Sequence, residues 1–150
     1  MATVTGGDKI AVVLGDLGKK LANAQVVRVG FLEGAKYPDG KPVAMIAAIN
    51  EFGAPSRGQP PRPFFRRMIA SHKGEWPDAI KGLLKANDYD AERTLDQAGA
   101  AVAGQLRQSI TDLVDPPLAP STIRAKGFDK PLIHHSIMLN SVDHEVKKRG

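Results

Sequence analysis

Four arginines, Arg57, Arg62, Arg66 and Arg67, fall within eleven residues that contain no acidic side chain. Such a cluster can grip phosphates or pair with carboxylates on a neighbouring protein. A solvated basic face beside a loop is the plainer outcome. Phe64 and Phe65 adjoin the run. Two consecutive aromatics at a helix start do not easily both turn inward, so one suits the core and the other an anchor in a partner's pocket. Arg57, Arg62, Pro63, Phe64, Phe65, Arg66 and Arg67 therefore form the candidate interface with another subunit.

The remaining constellations do not ask for catalysis. Gly15-Asp16-Leu17-Gly18-Lys19-Lys20 lacks the G-x-x-x-x-G-K-[ST] spacing of a phosphate loop and falls inside an amphipathic helix. His134 and His135 are adjacent, so on a helix they point about 100° apart and chelate one metal poorly. No carboxylate pattern near them or near His144 completes a ligand set. Asp88 with Asp90, and Asp112 with Asp115, stand at helix boundaries, where capping explains them. The serines lack a G-x-S-x-G setting, and there is no cysteine for a thiolate, a disulfide or a zinc ligand. The expectation is a non-enzymatic protein with no catalytic residue, metal or cofactor.

At 150 residues, with 42% hydrophobic and 25% charged residues, the chain has the size and balance of a single domain spanning 1–150. The formal charge of +5 suits nucleic-acid binding and many structural proteins alike. No secretory leader and no membrane-length apolar run is visible, which predicts a soluble protein made in the cytoplasm.

The elements that must carry the arginine cluster can be read from spacing. Ile10, Val13, Leu14, Leu17 and Leu21 form a helical stripe after Asp8 as N-cap, and the first helix is expected to bury it. Val26 to Leu32 reads as a strand, and Tyr37-Pro38-Asp39-Gly40 as a turn. Val43 to Phe52 is a helix that Gly53 ends. Gly53 to Pro63 holds four prolines and two glycines and predicts an extended, stiff arm. Phe64–His72 and Pro77–Ala86 are helical. The longest helix runs from about Ala91 to Leu113, with Gly99 and Gly104 allowing a neighbour to approach closely. Asp115-Pro116-Pro117 stops it. Ser121–Lys126 and Pro131–Leu139 are short helices, and Ser141–Val146 is a last strand. These elements predict an α+β fold: a small, mainly antiparallel sheet packed against a long helix and shorter helices, with a proline-rich extended loop.

Several of these segments together resemble a known family. Val43-Ala44 leading to Asn50-Glu51-Phe52-Gly53, followed by Pro60-Pro61-Arg62-Pro63-Phe64-Phe65-Arg66, is similar to the tailed-bacteriophage head–tail joining or tail-completion (neck) family. In the same order follow a long helix with Gly99, Pro116-Pro117-Leu118-Ala119-Pro120-Ser121-Thr122-Ile123, Lys126-Gly127, Pro131-Leu132-Ile133, and Leu139-Asn140-Ser141-Val142 with Val146. His134-His135-Ser136 stand where the family carries an Asp-Thr-Gly type turn. The resemblance, over about residues 25–146, implies a virion protein assembled in the host cytoplasm that acts by contact. Its implied partners are copies of itself in a symmetric homo-oligomeric ring and the neighbouring neck, head-closure and tail proteins, with passive contact to DNA in the junction. A tail-terminator role, a basic nucleic-acid-binding module and a small enzyme remain open alternatives.

Overall fold

The computed structural model describes residues 7–21, 25–113 and 136–148, with side chains from residue 9 onward. The chain runs α1 (Gly7–Leu21), β1 (Gln25–Phe31), α2 (Val43–Phe52), a 3-10 turn (Pro55–Arg57), α3 (Phe64–His72), α4 (Trp76–Ala86), α5 (Ala91–Asp112), α6 (Ser136–Asn140) and β2 (Val142–Lys148). The architecture is α+β, as the spacing predicts. The Ser121–Lys126 helix, the Asp115-Pro116-Pro117 stop, residues 131–135 and the family-like motifs from Pro116 to Ile133 lie outside the described residues.

β1 and β2 pair antiparallel, with Val27 opposite Val146, Val29 opposite His144 and Phe31 opposite Val142. A two-stranded ribbon is marginal alone and needs a helix against one face. α5 is that helix. It lies between the sheet on one side and α3 and α4 on the other. Asp90 starts it by accepting the Arg93 amide at 3.0 Å, a side-chain N-cap. Its inward residues include Ala98, Ala103, Leu106 and Ile110, with Leu113 buried just past its end.

The two glycines of α5 have different surroundings. A Cβ on Gly99 would stand 2.6 Å from Val27 Cγ2 and 2.7 Å from His144 Cδ2, so the sheet sits where a side chain would be. Gly104 has nothing within 4 Å of its Cβ position, so the close approach expected there does not occur. Gly104 lies on the exposed face of α5, turned about 140° round the helix from Gly99.

Val43, Ala47, Phe64, Met68, Leu106, Ile110, Met138 and Val142 make one core, drawn from α2, α3, α5, α6 and β2. The turn before α2 closes as its residues dictate. The Gly40 amide donates to the Tyr37 carbonyl at 2.9 Å, and Gly40 takes the positive φ of 82°.

α1 departs from expectation. It begins at Gly7, so Asp8 lies in its first turn and not before it. Its apolar stripe is not buried: Ile10, Val13 and Leu14 are each at least 60% exposed, and only Leu17 is half-covered. Spacing shows that a helix has an apolar face but says nothing of whether a surface in the same chain is free to receive it. α1 is tied to the rest by Lys20, whose Nζ lies 2.6 Å from the Asp88 carboxylate and donates to the Asp88 carbonyl at 3.0 Å.

Candidate subunit interface

The region around the arginine cluster is built by α2, the proline segment and α3. α2 carries one charged residue, Glu51, at its C-terminal end, and that residue is 5% exposed. A carboxylate at such burial needs donors around it. The donors come from α3. Glu51 accepts the Phe65 amide at 2.9 Å, the Arg66 amide at 3.3 Å and Arg66 Nε at 2.7 Å. Arg66 Nη2 also donates to the Glu51 carbonyl at 3.1 Å. The first amides of a helix have no partner within it, and its N-terminus favours negative charge. Pro63, at the N-cap position, offers no side-chain acceptor, so Glu51 supplies the cap from another helix.

The proline segment is the strap that brings these two helices together. It is closed on itself and not a free extended arm. Ala54 and Gln59 form an antiparallel bridge around the 3-10 turn, and the Arg62 amide donates to the Asn50 carbonyl at 2.7 Å. Gln59 Nε2 reaches Asn50 Oδ1 at 3.3 Å. Gly53 makes the return possible. Its φ is 76°, and a Cβ there would lie 2.7 Å from Pro61 N and 2.8 Å from the Gln59 carbonyl oxygen, so only glycine fits. Proline stiffness serves the fold here, fixing a return path instead of projecting an arm.

The seven candidate residues separate accordingly. Phe64 is 1% exposed and meets Phe31 edge-on at 6.1 Å between ring centroids; it belongs to the core, not to a contact with another subunit. Arg62 is buried, with Nε lacking a hydrogen-bond partner, and burial lowers its pKa from the usual arginine range. Arg66 does not await an acidic partner: it is paired with Glu51, and its guanidinium sits 5.2 Å from the Phe52 ring centroid. Pro63 and Phe65 are half-buried, with the Phe65 ring lying over Gly30. Arg57, on the 3-10 turn, and Arg67 keep exposed side chains.

The sequence reading missed the apolar surface beside the cluster. Ala44, Met45, Ala48 and Phe52 face outward on α2, and Phe52 is 66% exposed. Between α2, α3 and the end of β1 runs a groove of about 280 Å³, lined by Phe31, Ala44, Ala48, Phe52 and Phe65 among others. The signal was present in Val43-Ala44-Met45-Ile46-Ala47-Ala48-Ile49, a run with no polar residue for an outward face. A helix so apolar is ordinarily covered on every side, and among the described residues nothing covers this face.

No family model, curated protein or solved structure matches the chain.

The other sites considered from sequence are accounted for as far as they are described. The Gly15–Lys20 segment is helical. His144 donates to or accepts from Asp96 at 2.9 Å across the α5–sheet contact. Asp112 accepts from Gln108, and Asp88 holds Lys20. His134, His135 and Asp115 lie outside the described residues. Among the described residues no three potential ligands converge on a metal position, and no helix is long and apolar enough to cross a membrane.

Proposed function

We propose that this chain is a structural subunit of the head–tail junction of a tailed bacteriophage, one copy of a symmetric ring that acts by contact and not by catalysis. The observation that carries the reading is the uncovered apolar face of α2, with Met45 and Phe52 exposed beside the groove. Exposed apolar surface rimmed by polar residues marks an interaction site. It lies within the segment whose motifs resemble the neck family, so likeness and surface chemistry point to the same place. The interface proposed from sequence moves with it. Phe64 is buried in the core and Arg66 is paired with Glu51, while Met45, Phe52, Phe65, Arg57 and Arg67 would meet a neighbour. The alternative role of tail terminator uses the same surface in the same kind of ring.

Phe52→Asp tests this. Phe52 is outside the core, so the variant should give the wild-type circular dichroism spectrum. In an infection that depends on the variant, full heads and separate tails should accumulate unjoined in electron micrographs. Normal yields of joined, infectious particles would count against the reading. Salt-steep DNA binding by the free protein, lost on Arg57→Glu with Arg67→Glu, would favour a nucleic-acid module instead.

A further inference from the structure

Arg62 carries a charge that the fold buries without pairing it. The residue is 9% exposed, and its Nε is sealed from solvent with no hydrogen-bond partner among the described residues. Glu51, the one buried carboxylate among the described residues, is taken: it holds Arg66 Nε at 2.7 Å and two amides of α3. The Arg66 side chain is 57% exposed and gains little from that carboxylate. Stability alone would ask for the reverse. An arginine keeps its proton in a protein, and a charge buried without a counter-ion destabilises the fold that holds it.

We propose that Arg62 is a receptor for a carboxylate, the acidic side chain of a partner protein, which supplies the counter-ion that the fold withholds. This rests on the reading of the chain as a contact protein and names the chemistry of one contact.

The proline strap holds the guanidinium at a fixed place. Arg62 stands between Pro61 and Pro63, which restrict the backbone on both sides of it. Its amide donates to the Asn50 carbonyl at 2.7 Å, and its carbonyl accepts the Phe64 amide at 2.8 Å. Asn50 belongs to α2 and Phe64 to the core, so the root of the side chain is anchored twice. A receptor already ordered loses little freedom when its ligand arrives.

A protein carboxylate suits this position better than a nucleic-acid phosphate. Pro60 and Pro61 are exposed, so the strap lies at the surface, yet Arg62 itself offers only a small opening. Nε is the only guanidinium nitrogen both sealed and unpaired, which leaves the terminal pair for an end-on, bidentate approach. A carboxylate is a planar group on a narrow stem and can enter there. A duplex phosphate comes on a broad backbone and is met by exposed arginines such as Arg57 and Arg67.

Formate, the smallest carboxylate, is the probe, with chloride at equal ionic strength as its control. Formate should raise the urea midpoint of the wild-type chain above its value in chloride, because a ligand of the folded state stabilises it. Arg62→Met keeps an unbranched apolar stem and removes the charge. Its midpoint in chloride should lie above that of wild type, and formate should add nothing to it. In nitrogen–proton spectra of the wild-type chain, the Arg62 Nε–H resonance should move saturably with formate. The proposal is overturned if formate and chloride act alike on wild type, or if the formate effect persists in Arg62→Met. If Arg62→Met does not fold, the resonance decides, and one that formate leaves unmoved overturns the site. Inorganic phosphate moving the resonance where formate does not would overturn the carboxylate in favour of nucleic acid. The two readings fail separately. A junction subunit whose Arg62 ignores formate removes this site alone, and a formate response in a chain absent from the junction removes the phage role alone.

Discussion

Glu51→Ala should lower the stability of the fold by about 2–4 kcal/mol, more than loss of the arginine that faces it. The carboxylate is the acceptor for the Phe65 and Arg66 amides, at 2.9 and 3.3 Å, in a site where Glu51 is 5% exposed. Removing it leaves amide donors unpaired at the start of α3, each costing about 1–3 kcal/mol if water does not replace the acceptor. The Arg66 side chain is 57% exposed, so its guanidinium regains water when the partner is lost, and the ion pair itself adds little. Arg66→Ala should therefore cost about 1 kcal/mol or less. Urea midpoints for the two variants decide the matter. An equal or larger loss for Arg66→Ala would mean that the ion pair, and not the borrowed cap, holds α2 to α3.

Gly99→Leu should be the most damaging change in α5, at about 1–3 kcal/mol or more, because a packed core resists added volume. The first carbon already meets Val27 and His144 at 2.6 and 2.7 Å, and both belong to the sheet that α5 must cover. Val27 is stiff at χ1, and His144 is held by Asp96 at 2.9 Å, so neither yields easily. Gly104→Ala should behave oppositely. With open space at that position, alanine gains helix propensity and should stabilise by up to about 1 kcal/mol. Thermal or urea unfolding of both variants separates them. Equal midpoints for Gly99→Leu and wild type would show that the sheet does not sit on α5 as described.

These two sites show which parts of the fold were legible in the residues. The positions of α2 and α5 followed from apolar spacing, the end of α2 from Gly53 and a boundary before α5 from Asp90, because local chemistry sets where a helix starts and stops. β1 was legible from a β-branched run and β2 from alternation, and their pairing agrees with a sheet that joins distant segments. What spacing does not carry is the partner of each group. Glu51 lies upstream of the arginine run, and only the return at Gly53 brings its carboxylate to the amides of α3. That return turned the expected arm into a strap, and it placed Arg62 and Phe64 inside.

The apolar stripe of α1 was legible, yet its exposure was not. Burial depends on whether another surface arrives, and Ile10, Val13 and Leu14 contain no record of that. The outward face of α2 was legible in principle from a helix whose single charge is Glu51. Taken one residue at a time, arginines and paired aromatics drew attention away from a run of alanine, methionine and isoleucine. At the candidate interface, the segment was found but the division of labour within it was not.

The central proposal is that copies of this chain close a ring where head meets tail. Symmetry-averaged electron cryomicroscopy of the joined particle tests it most directly, with the described fold fitted to density at the neck. The expected result is a closed ring of this fold on the tail axis, with the face bearing Met45 and Phe52 covered by a neighbouring subunit. A single off-axis copy, a ring in which that face stays open to solvent, or no density for this chain at the junction would contradict it.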